Sequence, residues 1–135
     1  MKRQLRGTVA FAVCGSFCTL GAAVAQAEQL VRQGWELLPV MSYAASGLNT
    51  RFGRADEWKD RLGTPTGHRV LDTLQDVEPL GPRQLARALV VAPCTGTTLA
   101  RLSAGLSDTP VTLAAKSLLR VGCPVLLAVS TNDGL

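Results

Sequence analysis

The sequence predicts one α/β domain built on a doubly wound, mostly parallel sheet with helices on both faces, a three-layer arrangement. Short apolar runs of strand length recur along the chain, and segments with helical periodicity separate them. The runs at 88–92 and 125–129 contain no polar residue, which is typical of parallel strands buried on both faces. With 135 residues, of which 47% are hydrophobic, the chain can bury one core and is too short for two ordinary domains.

The N-terminal segment allows two interpretations. Residues 2–6 are rich in basic side chains, and the uncharged run at 7–27 ends in Ala-Gln-Ala, which gives the three parts of a secretory signal peptide. The alternative is a buried strand at 8–13, a loop at 14–18 and a helix from about 19 to 33.

One apolar helical face favours the strand and helix. It runs from Leu20 to Val31 straight through the cleavage point expected after Ala27, and Gly34 then ends the helix. We therefore expect a structural strand and helix, a cytoplasmic protein and no membrane span.

The middle of the chain is more polar. We expect a second strand at 35–41 followed by a polar loop, and then a helix at 54–62 that Trp58 anchors and the stretch 63–67 breaks. Residues 69–72 read as a weak short strand. The two prolines in 78–82 predict a shaped loop without regular structure.

The C-terminal part returns to strands and helices. The next buried strand is expected within 85–92 and ends at Pro93; a helix then begins near Thr95 or Gly96, with Leu99, Leu102 and Leu106 inside. Asp108-Thr109-Pro110 predicts the start of a helix that runs to about Val121. The last strand, 125–129, is expected to be buried on both faces. Because no covering helix follows it, we expect a sheet that is incomplete at its C-terminal end.

Charge and cysteine usage argue against several function classes. The net charge is +4, but the arginines are scattered rather than clustered, so nucleic-acid binding is not expected. The four cysteines lie in apolar or glycine-containing segments, so we expect reduced, buried thiols. Cys14 and Cys18 have no second ligand pair and His68 stands alone, so no metal site is expected.

Small polar residues follow several predicted strands. Because ligands of such sheets bind outside the carboxyl ends of the strands, these loops predict a phosphate site. A simple helix cap or turn is the alternative at each loop taken singly. Neither G-x-G-x-x-G nor a P-loop is present, so a mononucleotide with one phosphate fits better than a dinucleotide. The loops are Gly15-Ser16, Ser42, Gly96-Thr97-Thr98 and Ser130-Thr131-Asn132.

Two further residues have a functional and a structural interpretation. Cys94 could have its pKa lowered by the helix that follows it, or it could be a small packed thiol. Arg51, next to Phe52 and Gly53, could clamp a carboxylate or lie on the surface as an ordinary arginine.

The motifs resemble a known group of proteins. Residues 92–100 (APCTGTTLA) and 105–108 (GLSD) resemble the signature of the FMN-dependent cysteine decarboxylase and flavin prenyltransferase superfamily. Within it, four segments together resemble the dipicolinate synthase B-subunit family, across essentially the whole chain from Gly7. Those segments are Thr50–Gly53, Glu78–Pro82, Ala114–Lys116 and Ser130–Asp133.

The resemblance implies a single flavoprotein-like domain over residues 1–135 that lacks its C-terminal part, in a Rossmann-like or flavodoxin-like fold. It implies FMN as the cofactor, an A subunit that brings NAD(P), a small dicarboxylate substrate, a homo-oligomer and a role in sporulation. Arg51 and Asn132 would be catalytic. The implied flavin-binding residues are Gly15, Ser16, Phe17, Ser42, Thr95, Thr98, Ser130 and Thr131.

The family reaction forms dipicolinate, pyridine-2,6-dicarboxylate, from a cyclic intermediate of the dihydrodipicolinate pathway. Two alternatives stay open at this point. One is a flavin prenyltransferase or cysteine-decarboxylase-type enzyme, and the other is a non-catalytic scaffold subunit.

Overall fold

The computed structural model describes residues 5–131 and contains a sheet of four parallel strands. Strand β1 spans Gly7–Val13, β2 Trp35–Met41, β3 Leu89–Cys94 and β4 Val125–Val129. Their spatial order is β2-β1-β3-β4, and each neighbouring pair is parallel. The predicted doubly wound sheet is confirmed, because the order reverses between β1 and β3 and places a topological switch point there.

Helices connect the strands and cover the sheet. Each crossover between parallel strands must return the chain to the same edge, and a helix does this while burying its apolar face. Within residues 5–131 the helices are α1 (Phe17–Arg32), α2 (Tyr43–Gly47), α3 (Ala55–Thr66), α4 (Leu74–Val77), a short 3-10 helix (Glu78–Leu80), α5 (Gly96–Ser103) and α6 (Pro110–Leu119).

Two buried clusters lie on opposite faces of the sheet, because successive strand side chains point in opposite directions. Phe11 of β1 packs in one cluster with α1 and with Trp58 of α3. Ala12 packs in the other with Ala114 of α6 and with Leu80. The predicted anchoring role of Trp58 is confirmed, since only 5% of this residue is exposed.

Strand β1 decides between the two interpretations of the N-terminal segment. It pairs with β2 on one side and β3 on the other, and Ala25-Gln26-Ala27 lies inside α1. The segment is therefore a central strand and helix of this fold, as we predicted. Between residues 5 and 131, no helix combines the length and the apolar character needed to cross a membrane.

Two predicted element ends are wrong. In each case the strand or helix continues past a proline or glycine that was expected to end it. Strand β3 continues through Pro93, at a register irregularity where its missing amide is not needed in the ladder. Helix α3 passes Gly63 and Pro65 and ends at Gly67, whose φ is +71°. A Cβ at Gly63 would lie 3.4 Å from the carbonyl oxygen of His68, which is an ordinary van der Waals contact.

Other predicted elements also differ. The loop predicted at 78–82 begins with the 3-10 helix, since Pro79 fits the first positions of a helix. Residues 69–72 form no strand; Leu71 makes an isolated bridge to Val40. Leu106 lies beyond the end of α5 and is exposed. The polar loop after β2 contains the short helix α2.

Strand β4 is not buried on both faces. Val125 and Leu127 pack against the cluster of α6, whereas 64% of Leu126 is exposed on the other face. Leu126 pairs in register with Val90, whose face is covered by α1 further along the sheet. Within the described residues, no helix covers Leu126.

We predict that Gly81→Ala destabilises the fold by about 3 kcal/mol, because a Cβ at this position would overlap the backbone carbonyl of Ser117. The Gly81 amide also donates a buried 2.8 Å hydrogen bond to Ser117 Oγ, which that overlap would disrupt. Urea unfolding measures the loss. Gly47→Ala is the control, since a Cβ there meets nothing within 4 Å; equal stability of the two variants would contradict the prediction.

Candidate functional site

The carboxyl ends of the four strands are tied together by backbone hydrogen bonds. In each bond the first residue after one strand donates its amide to a carbonyl at the end of the neighbouring strand. The loops that follow therefore cannot move independently. The three bonds run from Ser42 N to Val13 O (3.0 Å), from Cys14 N to Pro93 O (3.1 Å) and from Ser130 N to Cys94 O (2.9 Å).

A cavity of about 340 Å³ lies at this edge of the sheet. It is bounded by the ends of β1, β2 and β3 and by the first turns of α5 and α6. Four of the residues predicted to bind the cofactor line it, so the sequence-based grouping of these loops is correct in space. The lining residues are Gly15, Ser42, Tyr43, Ala44, Thr95, Thr97, Thr98, Arg101 and Thr109.

The start of α5 is held by a chain of hydroxyl groups. Thr95 caps the helix, since its Oγ1 accepts a 3.2 Å hydrogen bond from Thr98 N. The Thr95 hydroxyl donates to Thr98 Oγ1 at 3.0 Å, and Thr98 donates in turn to Cys14 Sγ at 3.4 Å. The structural role of Thr95 as a cap is thus present, and the same arrangement fixes both hydroxyls beside the cavity.

A second hydroxyl cluster joins the first loop to the end of β4. Ser16 Oγ and Ser130 Oγ lie 3.3 Å apart, and Thr19 Oγ1 reaches both of them, at 2.9 and 3.2 Å. Although Ser16 occupies the N-cap position of α1, its side chain makes no capping hydrogen bond. The prediction that the loops of Ser16 and Ser130 lie close together is correct. The prediction missed Thr19, which could have been found from its position one turn into α1.

Two small residues shape the first two loops. A Cβ at Gly15 would lie 3.0 Å from Ala44 Cβ and 3.3 Å from the Phe17 ring, so a side chain at Gly15 would crowd the cavity wall. Ser42 caps α2, accepting a 3.1 Å hydrogen bond from Ala45 N. The glycine therefore keeps the backbone accessible where the loops converge.

A family comparison identifies the kind of protein that has these loops. The model of the Flavoprotein family matches residues 2–133. The chain belongs to the Flavoprotein family. It is 39% identical over 127 residues to the B subunit of dipicolinate synthase from Bacillus subtilis (strain 168), a match that covers 94% of this chain and 64% of that protein. The chain thus spans somewhat less than two thirds of the length of this curated relative.

Solved structures agree with that assignment. The B subunit of dipicolinate synthase from Bacillus halodurans C superposes with a TM-score of 0.83 at 32% identity, over 98% of this chain and 68% of that one. Burkholderia xenovorans DmrB in complex with FMN, described as a cubic protein cage for redox transfer, gives a TM-score of 0.74 at 26% identity, over 94% and 67% of the two chains. Because the match to the Bacillus halodurans protein covers 98% of this chain, the whole described fold agrees with the family assignment.

The remaining predicted residues of this flavoprotein lie apart from the cavity or outside the described residues. Arg51 is exposed at the tip of a tight turn closed by Thr50 and Gly53, and its guanidinium stacks on the Phe52 ring at 4.9 Å. It does not line the cavity. Thr131 follows Ser130 and is half-buried. Asn132 lies beyond the part of the chain that the structure describes.

Arg101 is a cavity residue that sequence reasoning missed. Its Nη1 donates to both carboxylate oxygens of Asp108, at 3.0 and 2.8 Å. Thr97, which belongs to one of the predicted phosphate loops, also lines the cavity; its exposed side chain makes no hydrogen bond within residues 5–131. The position of Arg101 four residues after Thr97 on a predicted helix was the signal that could have found Arg101.

The thiols of Cys14 and Cys94 are buried beside the cavity. Burial raises the pKa of Cys94 to about 11, and the neighbouring Cys14 contributes to the rise. Burial likewise raises the pKa of Cys14, although the Thr98 hydrogen bond opposes this. The packed-thiol interpretation of Cys94 is therefore confirmed and the lowered pKa is wrong. Cys18, predicted as buried, is exposed because it lies on the outer side of the first turn of α1.

His68 makes an interaction that the sequence did not predict. Its Nε2 lies 2.9 Å from Glu36 Oε1, which joins the end of α3 to β2. His68, which stands alone among histidines in the sequence, thus has a carboxylate partner in the fold. Across residues 5–131, no group of three His, Cys, Asp or Glu side chains is placed to hold a metal ion.

We predict that iodoacetamide at pH 8 alkylates Cys18 in the folded protein while Cys14 and Cys94 stay unmodified. A pKa of about 11 leaves roughly one Cys94 thiol in a thousand as thiolate at that pH, in addition to its burial. Mass spectrometry of peptides measures the labelling. In denaturant all three should react; labelling of folded Cys94 as fast as Cys18 would contradict the assignment.

Proposed function

We propose that this chain binds FMN in the cavity at the strand ends and acts as the B subunit of a dipicolinate synthase. The observation on which this rests is the convergence of Gly15, Ser42, Thr95 and Thr98 on one cavity in a member of the Flavoprotein family. The 39% identity to the Bacillus subtilis protein supports the assignment as a B subunit of dipicolinate synthase. DmrB, a relative with the same fold, has been crystallised with FMN.

The donor set of the cavity fits a phosphate group. Hydroxyls and helix-start amides favour an anion, and Gly15 lets it approach the backbone. The Thr97 hydroxyl is available without rearrangement. The Thr95 proton is committed to Thr98, but a hydroxyl rotates easily, so Thr95 can turn its proton to the phosphate while Thr98 keeps its bond to Cys14.

The second hydroxyl cluster fits the rest of the cofactor. Ser16, Ser130 and Thr131 would hold the flavin side with polar contacts, and Phe17 would border the ring with its half-buried side chain. Asn132, which follows Thr131 in the sequence, remains a proposed catalytic residue. FMN, when bound, would supply a two-electron acceptor for hydride. The protein residues would orient the ligand, exclude water and provide hydrogen bonds.

The proposed substrate is a small dicarboxylate, the cyclic precursor of dipicolinate, and an A subunit with NAD(P) would complete the enzyme. We also propose a homo-oligomer, since the related DmrB is described as a cage, and a cytoplasmic place in sporulating cells.

Reconstitution tests the proposal in two steps. The purified chain is first titrated with FMN, and quenching of flavin fluorescence should saturate. The A subunit and the cyclic substrate are then added, and dipicolinate should appear by its ultraviolet absorbance. Prenylation of FMN by dimethylallyl phosphate, or decarboxylation of a peptide with C-terminal cysteine, would replace the proposal. Activation of the A subunit without FMN binding would identify a scaffold.

We predict that Thr97→Val weakens FMN binding about 3- to 10-fold, because it removes one uncommitted hydroxyl from the cavity and keeps the shape of the side chain. Fluorescence titration measures the dissociation constant. Thr64→Val, an exposed helical threonine in α3 away from the cavity, is the matched control. Equal effects of the two variants would contradict a role for Thr97.

We predict that Arg51→Lys raises KM for the dicarboxylate about tenfold with little change in FMN affinity. Lysine keeps the charge but loses the planar fork that pairs with a carboxylate through two hydrogen bonds. Steady-state kinetics of the complex with the A subunit measures KM. Because Arg51 is exposed and lies outside the cavity, an unchanged KM would leave it a surface residue.

A further inference from the structure

The lining of the cavity contains one charged side chain among the residues that the structure describes. It is Arg101; the other lining side chains are hydroxyls, a phenol and small apolar groups. A phosphate monoester carries close to two negative charges at neutral pH, which neutral donors can solvate but cannot balance. A cation in the cavity would add charge neutralisation to the hydroxyl and amide donors.

The position of Arg101 on α5 directs it toward the start of that helix. Arg101 follows Thr97 by four residues and Thr98 by three, so the three side chains share one helical face. Long side chains on a helix lean toward its N-terminus, and Arg101 lines the same cavity as these threonines. The amides at the start of α5 face the same region.

Asp108 fixes the guanidinium without using all of its donors. Within residues 5–131, the two side-chain hydrogen bonds of Arg101 both come from Nη1, so Nη2 and Nε have no partner there. Asp108 directly precedes Thr109, the N-cap of α6, whose capping box and buried Pro110 hold the segment in place. The arginine is thus oriented in advance, which reduces the entropy lost when it binds an anion.

We propose that Arg101 binds the phosphate of the flavin mononucleotide and makes the cavity select FMN over riboflavin. This inference rests on the proposed function, since it assigns a residue within the same site. Arg101 bridges two anions: Asp108 holds Nη1, and the phosphate takes the free N–H groups. Arg101 lines the cavity, and 38% of its side chain is exposed, so part of the guanidinium stays in water.

Binding of two ligands to four proteins tests the assignment. Wild type, Arg101→Gln, Arg101→Lys and the control Arg83→Gln are titrated with FMN and with riboflavin, and flavin fluorescence gives each dissociation constant. Arg83 is an exposed arginine in the turn before β3, at the opposite edge of the sheet. We expect Arg101→Gln to weaken FMN about 10- to 100-fold and to change riboflavin less than about twofold.

The two other variants and the ionic strength test whether the charge and the shape of Arg101 cause the effect. Arg101→Lys should fall between wild type and Arg101→Gln, because it keeps the charge and loses the fork. Arg83→Gln should match wild type with both flavins. Raising the ionic strength should weaken FMN binding to wild type more than to Arg101→Gln, since exposed charge interactions are screened. Thermal unfolding of each variant checks that all four proteins fold.

Failure of the inference and failure of the proposed function give different results. If wild type prefers FMN and Arg101→Gln keeps the same preference, Arg101 does not bind the phosphate and the inference alone is overturned. Equal losses for FMN and riboflavin would assign Arg101 a structural role, which also overturns it. If folded wild type binds neither flavin, the proposed function itself is wrong.

Discussion

The site depends on the parallel register of β2, β1 and β3, which brings three carboxyl ends to one edge. Ser42 N, Cys14 N and Ser130 N each donate to a neighbouring strand end, so the register of the sheet extends into its loops. A slip of one residue would turn the core side chains of a strand to the opposite face, so burial on both faces enforces this register. The cavity is a consequence of the sheet more than of any single loop.

How much of the fold can be read from the sequence varies with the kind of segment. The bounds predicted for β2, 35–41, agree with the structure, because a mostly apolar run between a glycine and a serine leaves few alternatives. Pro93 and Pro65 instead led to wrong element ends. Rules for proline describe the local cost. A register irregularity in β3 removes the need for the missing amide, whereas in α3 the cost of Pro65 falls only on the last turn.

The same distinction applies to the site. The grouping of Gly15, Ser42, Thr95 and Thr98 could be predicted, since each follows a strand and parallel strands end together. Arg101 could not be found that way, because its place depends on helix phase and on the return of the chain to Asp108. The distance of Arg51 from the cavity likewise depends on a turn of four residues whose direction the sequence does not show.

The proposed role of Arg101 would also account for specificity in a cavity rich in hydroxyls. Thr95 and Thr98 satisfy each other before any ligand arrives, and Asp108 satisfies part of Arg101. Polar groups that are paired in the free protein cost little to hold near a buried core, whereas unpaired ones would destabilise it. An anion then needs only rotations of hydroxyl protons and the free donors of one guanidinium. The heavy atoms that would contact it are already in position, so affinity depends on charge and geometry fixed by folding rather than on rearrangement of the loops.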